Sequence, residues 1–141
     1  MKLRALATIA TATFLGGGIS AADPVGLWAD KDGGTVRIHH CGQALCGTMA
    51  SVKPPIDPAT GKPPTDKNNA DPGKRNRPLV GLQVLISMRP DGPGKWSGRL
   101  YDTDSGKFYP GHLLELDANT VRVEGCAMGV CGGEKMTRVS R

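Results

Sequence analysis

Aromatic residues are scarce in this chain of 141 residues. After residue 22 the sequence contains only Trp28, Trp96, Tyr101, Phe108 and Tyr109. Proteins that bind single-stranded nucleic acids stack bases on aromatic side chains, and this chain offers few of them. Residues 23–141 hold all 13 acidic and 16 of the 18 basic residues, a net charge of only +3. We therefore expect no nucleic-acid partner.

Long apolar runs are also missing, except for one at the N-terminus. Two basic residues precede an uncharged, mostly apolar segment over residues 5–19, and small residues at 20–22 suit a signal peptidase. The segment is shorter than the ~20 residues of a membrane-spanning helix. The pattern predicts a signal peptide over residues 1–22, a single domain over 23–141, and a periplasmic or secreted protein without a transmembrane segment after cleavage. The oligomeric state stays open.

Recognised catalytic signatures are lacking. The serines do not stand in a Gly-x-Ser-x-Gly turn, and we recognise no acid–base pair with an orienting partner. The histidines are His39, His40 and His112. The first two point to opposite faces of a strand, and His112 has no third metal ligand that the sequence identifies. We therefore predict no metal site and no cofactor, and we favour a protein that is not an enzyme.

Two oxygen-rich segments raise the alternative of a calcium site. Asp102-Thr-Asp104-Ser-Gly106 resembles part of a calcium loop but lacks the later bidentate glutamate, so a polar hairpin turn is favoured. The segment from Asp66 to Asp71 offers carboxylate and amide oxygens within a long loop. Calcium binding stays an alternative there.

The four cysteines form two pairs with the same spacing. Cys41 and Cys46, like Cys126 and Cys131, are separated by four residues, and each second cysteine is followed by glycine. Each block is typical of a β-hairpin. In an oxidising compartment the even number predicts disulfides, and pairing within each block is favoured because a short hairpin loop brings its flanks together. Pairing across blocks, a four-thiolate zinc site and a redox-active pair are the alternatives.

Alternating apolar and polar residues predict an all-β fold. About eight strands, with turn signals every 8–12 residues or so, favour a small antiparallel meander barrel of the lipocalin or calycin type over a sandwich. Alternate residues from Val80 to Met88, with Trp96 and Leu114, are expected to line the interior. We find no amphipathic helix with convincing caps.

A proline-rich segment from Lys53 to Pro78 interrupts the strand pattern. It contains seven prolines and has no apolar periodicity, which predicts one long loop. Because the loop has little apolar surface to offset the entropy cost of ordering, we expect it to be mobile and to meet a ligand or partner. A tolerated insertion without a role is the alternative. The predicted ligand-binding residues are Arg75, Arg77, Trp96, Tyr101 and Tyr109.

Gly26, Trp28 and Arg138 suggest how the barrel closes. Arg138 shares its strand parity with apolar Met136, so it is expected to point inward and stack on Trp28 at the floor of the barrel. Lipocalin-type barrels use such an arrangement, to which this one is similar. The alternative is an ordinary core tryptophan and a surface arginine.

A series of segments resembles a family of exported bacterial proteins grouped as domain of unknown function 2147. The segments span nearly all of residues 23–141 and are Gly26-Leu-Trp28, Cys41 to Gly47, Asp66-Lys-Asn-Asn69, Arg77 to Leu82, Trp96 to Asp102, Ser105 to Tyr109 and Thr137-Arg138. The resemblance implies a small extracytoplasmic β-barrel without an assigned activity, and it supplies no catalytic residue. Cys126 and Cys131 depart from the family pattern.

These observations favour a non-enzymatic barrel that binds an apolar, amphipathic or anionic small ligand, or a component of the cell envelope. One alternative is an extracytoplasmic hydrolase or transferase with Asp102, Asp104 and Tyr109 at the barrel mouth. Another is a purely structural envelope-stress protein. The interior discriminates among them, because a fully packed barrel leaves no room for a ligand.

Overall fold

Eight antiparallel strands close into a barrel in the computed structural model, which describes residues 10–13 and 23–141. The predicted signal peptide therefore lies largely outside the described residues. The strands are β1 (Gly26–Ala29), β2 (Thr35–Cys41), β3 (Ala44–Ser51), β4 (Gln83–Pro90), β5 (Lys95–Asp102), β6 (Lys107–Asp117), β7 (Thr120–Ala127) and β8 (Val130–Ser140). Each strand pairs with its neighbours in the chain, and β8 pairs with β1. The predicted all-β meander barrel is confirmed.

Helix is nearly absent from the part of the chain that the structure describes. A single turn of 3-10 helix spans Pro72–Lys74. Within those same residues, no helix has the length and apolar character needed to cross a membrane.

The meander gives the barrel two distinct ends. The β1–β2, β3–β4, β5–β6 and β7–β8 connections lie at one end, which we call the mouth. The three other connections, the start of β1 and the end of β8 lie at the opposite end, which we call the base. Since side chains alternate between the two faces of each strand, every second residue points into the barrel.

An apolar core fills the base half of the barrel. Its buried members are Trp28, Ile38, Leu45, Leu85, Met88, Leu113, Val121 and Met136. Burial of each such side chain contributes about 1.5–3 kcal/mol, so this cluster is the main source of stability. The core uses Leu113, whereas Leu114, which we expected inside, is only half-buried and outside this cluster.

Arg138 and Trp28 close the base as the sequence predicted. The Arg138 guanidinium carbon lies 4.3 Å from the centre of the Trp28 ring. Arg138 also donates to the carbonyls of Val25, Ala118 and Asp23 at 2.9, 2.9 and 3.1 Å. It thereby joins the last strand, the β6–β7 turn and the segment before β1.

The apolar stripe in β4 departs from the simple alternation that we expected. β4 begins at Gln83, and Val80 is 47% exposed. Along β4 the register with β3 shifts twice and the register with β5 shifts once, and Ser87 has a φ of 51°. Because a bulge inserts one residue and reverses which side chains face inward, Leu85 and Met88 both enter the core.

The structure pairs Cys41 with Cys46 and Cys126 with Cys131. These are disulfides within each hairpin, the pairing that the spacing favoured. Identical spacing nevertheless gives two different registers. Cys126 lies directly opposite Cys131, whereas Cys46 lies opposite His39. The first disulfide is at the base and the second at the mouth.

Candidate functional site

A cavity of about 640 Å³ opens at the mouth above the core. Its inner wall is apolar and is formed largely by Val36, Met49, Leu85, Leu100, Val123 and Met136. The barrel is thus packed in its base half and hollow in its mouth half. A cavity of several hundred Å³ with apolar walls is the usual setting of a small-molecule site.

Small residues on β7 and β8 create the space. Gly125, Ala127 and Gly132 line the cavity, and Gly125 lies opposite Gly132 in the ladder. A Cβ added at Gly132 would have no atom within 4 Å, so this position faces open space. A Cβ at Gly125 would instead meet the Leu100 side chain at 2.9 Å.

Carboxylates surround the mouth of the cavity. The acidic residues that line it are Asp30, Asp32, Asp102, Asp104 and Glu134, and the basic residue among the lining side chains is Lys31. Two of these aspartates also stabilise the turns that carry them. Asp30 accepts the backbone N–H groups of Asp32 and Gly34, and Asp102 accepts that of Asp104. The side chains that line the opening of the cavity therefore carry an excess of negative charge.

Glu134 extends this acidic character into the barrel from β8. Burial, together with the negative charges of Asp30, Asp32 and Asp104, raises the pKa of Glu134 above its ordinary value, although Lys31 acts in the opposite direction. A cation placed near these groups would favour the ionised form of Glu134.

The long loop is anchored, contrary to our expectation of a mobile segment. Asp66 is fully buried, and its carboxylate accepts hydrogen bonds from the Tyr101 hydroxyl at 2.7 Å, the Asn69 amide at 2.8 Å and Arg77 Nη2 at 2.9 Å. Burial opposes ionisation of Asp66, but these three donors together hold its pKa below the ordinary value. These polar contacts offset the entropy cost of ordering the loop, which its few apolar side chains do not.

The same contacts argue against calcium in the segment from Asp66 to Asp71. Both carboxylate oxygens of Asp66 accept hydrogen bonds from protein donors. The side-chain oxygen of Asn69 accepts the backbone N–H of Asp71 at 2.9 Å. These oxygens organise the loop itself, which leaves them poorly placed as ligands for an ion.

The two arginines predicted to bind a ligand lie away from the cavity. Arg75 donates from Nε to the carbonyl of Asn69 at 2.8 Å, and Arg77 pairs with Asp66. Arg77 and Tyr101 border a separate depression of about 480 Å³ between the loop and the wall of the barrel. Arg75 and Arg77 therefore direct their charges onto acceptors of the loop itself and do not line the cavity of about 640 Å³.

The three aromatic residues predicted to bind a ligand are divided by the structure. Tyr101 and Tyr109 line the cavity, whereas Trp96 packs against the core of the base half. Tyr101 is 3% exposed and its hydroxyl is engaged with Asp66. The Tyr109 hydroxyl donates to Ser105 Oγ at 3.3 Å, so Tyr109 is the freer of the two.

The family described as "Uncharacterized protein conserved in bacteria (DUF2147)" matches residues 26–138. This chain belongs to that family. Among solved structures, protein HP1028 from the human pathogen Helicobacter pylori, described as belonging to the lipocalin family, is similar with a TM-score of 0.69. The two chains are 18% identical, and the match covers 84% of each. At this identity the likeness establishes a lipocalin-like fold. A comparison with curated proteins found no match.

Sequence reasoning missed most of the acidic mouth of this DUF2147 barrel. Asp102 and Asp104 were considered as catalytic groups, but Asp30, Asp32 and Glu134 were not singled out. The signal for Glu134 was available, because it has the same strand parity as the core residue Met136. The signal for Asp30 and Asp32 was weaker, since aspartates in turns are common for local reasons.

His112 also has neighbours that the sequence did not reveal. It lies opposite Glu124 on the outer face of the DUF2147 barrel, close to the disulfide between Cys126 and Cys131. The sequence identified no further metal ligand beside His112, because adjacent strands bring together residues that are distant in the chain.

Proposed function

We propose that this protein is an exported, non-enzymatic binding protein for a small amphipathic ligand that carries a positive charge. The ligand's apolar part would lie in the mouth half of the barrel, and its cationic group would lie among the carboxylates at the mouth. The single observation that carries this proposal is the cavity of about 640 Å³ with an apolar wall and an acidic mouth.

The apolar part of the proposal rests on how the interior is filled. Small barrels of eight strands have room for side chains or for one small ligand, as in lipocalins. Here the core ends near Leu85 and Met136, and Gly132 leaves open space above them. Burial of apolar ligand surface in that space would provide the main driving force, at about 25 cal/mol per Å².

The charge of the ligand is inferred from the mouth. Five carboxylates and one lysine line it, so a cation gains and an anion loses electrostatic energy there. The anionic ligand that we considered from the sequence required the side chains of Arg75 and Arg77 to line this cavity, and neither does. Both arginines are hydrogen-bonded within the loop instead, which favours the cationic class.

Export is the second part of the proposal. Two disulfides and membership of a bacterial family are consistent with an extracytoplasmic location, where disulfides persist. We infer that residues 1–22 are removed and that the mature protein begins at Asp23. N-terminal sequencing of protein recovered from the periplasm or medium tests this, and a retained Met1 in that fraction contradicts it.

A competition experiment tests the ligand class. N-phenyl-1-naphthylamine, which is uncharged at neutral pH, reports occupancy of an apolar cavity by its fluorescence. We expect decyltrimethylammonium to displace it at roughly tenfold lower concentration than decyl sulfate, both below micelle formation. Equal displacement by the two surfactants, or preference for the sulfate, contradicts the proposed charge of the ligand.

Two matched pairs of variants locate the effect. Gly132→Leu places its Cβ in open space and its side chain in the cavity, and it should abolish probe binding, whereas Thr137→Leu introduces leucine at an exposed position on the same strand and should not. Asp104→Asn with Glu134→Gln should remove the cation preference, whereas Asp117→Asn at the base should retain it. If Gly132→Leu folds normally and still binds the probe, the cavity is not the site.

A further inference from the structure

The outer face of β6, β7 and β8 carries a cluster of metal-ligating side chains. His112, Glu124, Cys126 and Cys131 each offer one ligand atom, and these atoms all lie within 4.8 Å of one another. The strand register explains the cluster. His112 lies opposite Glu124, Cys126 follows Glu124 by two residues and so shares its face, and Cys131 lies opposite Cys126.

The hydrogen bonds of His112 indicate which ring nitrogen is available. Ser97 Oγ donates to Asp91 Oδ2 at 2.6 Å and lies 2.9 Å from His112 Nδ1. Since the hydroxyl proton of Ser97 is used toward Asp91, Nδ1 must be the donor and Ser97 the acceptor. In the neutral ring, Nε2 then carries the free lone pair. Metal-binding histidines are oriented in this way by a hydrogen bond from their other nitrogen.

The disulfide keeps the two sulfurs from acting as thiolate ligands. Cys131 is exposed and Cys126 half-buried, so a thiol reductant can reach the bond from solvent. The other disulfide differs in this respect, because Cys46 is only 3% exposed. Reduction is therefore expected first at the mouth, where the histidine and the glutamate lie.

We propose that reduction of the Cys126–Cys131 disulfide converts this outer face into a Zn²⁺ site. A dithiol reductant supplies two electrons and two protons, which break the S–S bond and give two thiols, while the reductant becomes a disulfide. Zn²⁺ then displaces the two thiol protons to solvent and is bound by two thiolates, His112 Nε2 and one oxygen of Glu124. Two sulfurs, one nitrogen and one oxygen form a ligand set that suits tetrahedral zinc.

The surroundings fit this ligand set. Tetrahedral zinc, with Zn–S bonds of about 2.3 Å and Zn–N bonds of about 2.0 Å, needs ligand atoms roughly 3–4 Å apart. The ligand atoms of the four residues lie within 4.8 Å of one another, and reduction lets the two sulfurs move apart from bonding distance to that spacing. Glu124 currently accepts a hydrogen bond from Arg122 Nε at 3.2 Å. Zinc with two thiolates and one carboxylate has a net charge of −1, and Arg122 on the same face would balance it.

Metal binding to the reduced protein tests the proposal. The Cys41→Ser/Cys46→Ser variant leaves one disulfide, so reduction by dithiothreitol is unambiguous and is verified by counting thiols by mass spectrometry. After anaerobic removal of the reductant, we expect isothermal titration with Zn²⁺ to give one site per chain. Co²⁺ should give an intense near-ultraviolet thiolate band and the visible bands of a tetrahedral complex. The oxidised protein should show neither.

Ligand variants separate the proposed site from two thiols acting alone. His112→Ala and Glu124→Gln should each weaken Zn²⁺ binding at least about tenfold, whereas His39→Ala on a distant strand should not. Cys126→Ser/Cys131→Ser, fully reduced at Cys41 and Cys46, should not give the tetrahedral Co²⁺ spectrum. Circular dichroism confirms that each variant keeps its sheet. The proposal is wrong if the reduced protein binds no Zn²⁺, or if both His112→Ala and Glu124→Gln bind it as tightly as the parent.

Discussion

The base and the mouth of this barrel use the same eight strands in opposite ways. At the base, large apolar side chains such as Trp28, Met88 and Leu113 fill the interior. At the mouth, Gly125, Ala127 and Gly132 leave it open, and carboxylates surround the opening. Both halves share one topology. The size and charge of the inward-facing residues therefore decide which half stabilises the fold and which half is available for a ligand.

The two disulfides also differ between the base and the mouth, in their exposure to solvent. Both join cysteines five positions apart, and one lies at each end of the barrel. The base disulfide includes the buried Cys46 and the mouth disulfide includes the exposed Cys131. An identical sequence pattern thus produces one covered cross-link and one that solvent reaches, because the register of the hairpin decides where the sulfurs lie.

Removal of the floor of the base should have the largest effect. Trp28→Ala is expected to lower the free energy of unfolding by about 3–5 kcal/mol, because it leaves a large cavity in the core. Arg138→Ala should cost less. In urea unfolding, the double variant should lose less stability than the two single losses combined, since the side chains are in contact. Additive losses would show that the stacking contributes nothing.

Loss of the polar anchor of the loop should come next. Asp66→Ala leaves the buried Tyr101 hydroxyl and the Asn69 amide without their acceptor, and we expect a loss of about 3 kcal/mol in urea unfolding. Because the folded-state pKa of Asp66 lies below its unfolded value of 3.8, its contribution is present above that pH and disappears as the pH falls through the folded-state pKa. The wild type and the Asp66→Asn variant should therefore differ less in their free energy of unfolding as the pH falls into the acid range. A difference that stays constant with pH contradicts this assignment.

The two disulfides should differ in their contributions to stability, by less than the losses expected for Trp28→Ala and Asp66→Ala. Each closes a loop of about five residues, which corresponds to about 2 kcal/mol in the chain-entropy treatment. Cys41→Ala/Cys46→Ala also removes a buried sulfur, so thermal unfolding should show a larger loss for this pair than for Cys126→Ala/Cys131→Ala. The expectation is wrong if loss of the mouth disulfide lowers thermal stability more than loss of the base disulfide.

Glu134→Gln should have the smallest effect, and one that depends on pH. The folded-state pKa of Glu134 is raised above its ordinary value of 4.5, so the native protein holds this proton more tightly than the unfolded chain. Wild-type stability should therefore fall as the pH rises from the unfolded to the folded pKa, and the glutamine variant should escape this loss. Denaturant titrations at several pH values between the two pKa values measure this loss. If the free energy of unfolding of the wild type and of Glu134→Gln changes with pH in the same way, Glu134 is solvated like an ordinary surface carboxylate.

The fold was largely predictable because its determinants are local. Turn residues, alternating strands and the paired cysteine blocks gave the number of strands and the meander, and the parity of Arg138 with Met136 correctly placed it over Trp28. The family resemblance rested on segments spread along the chain and is confirmed over residues 26–138.

The site was less predictable because it depends on register and on contacts between distant segments. Two bulges in β4 moved Leu85 into the core, and no periodicity indicates a bulge in advance. Tyr101 and Asp66, 35 residues apart, form the anchor of the loop, and Asp66 holds Arg77 away from the cavity. The acidic residues around the cavity come from the β1–β2 turn, the end of β5 with the turn that follows it, and β8, which surround one opening only when the barrel is closed.

The pairing of β8 with β1 also determines when this chain can finish folding. All other strand pairs join neighbours in the chain and can form early, but the closing bond from Arg138 to the Val25 carbonyl spans 113 positions. Until the last strand arrives, β1 and β7 are open edges and the floor lacks its arginine. The barrel of this polypeptide cannot close until its C-terminal strand is available, an order of events that is compatible with the export we propose.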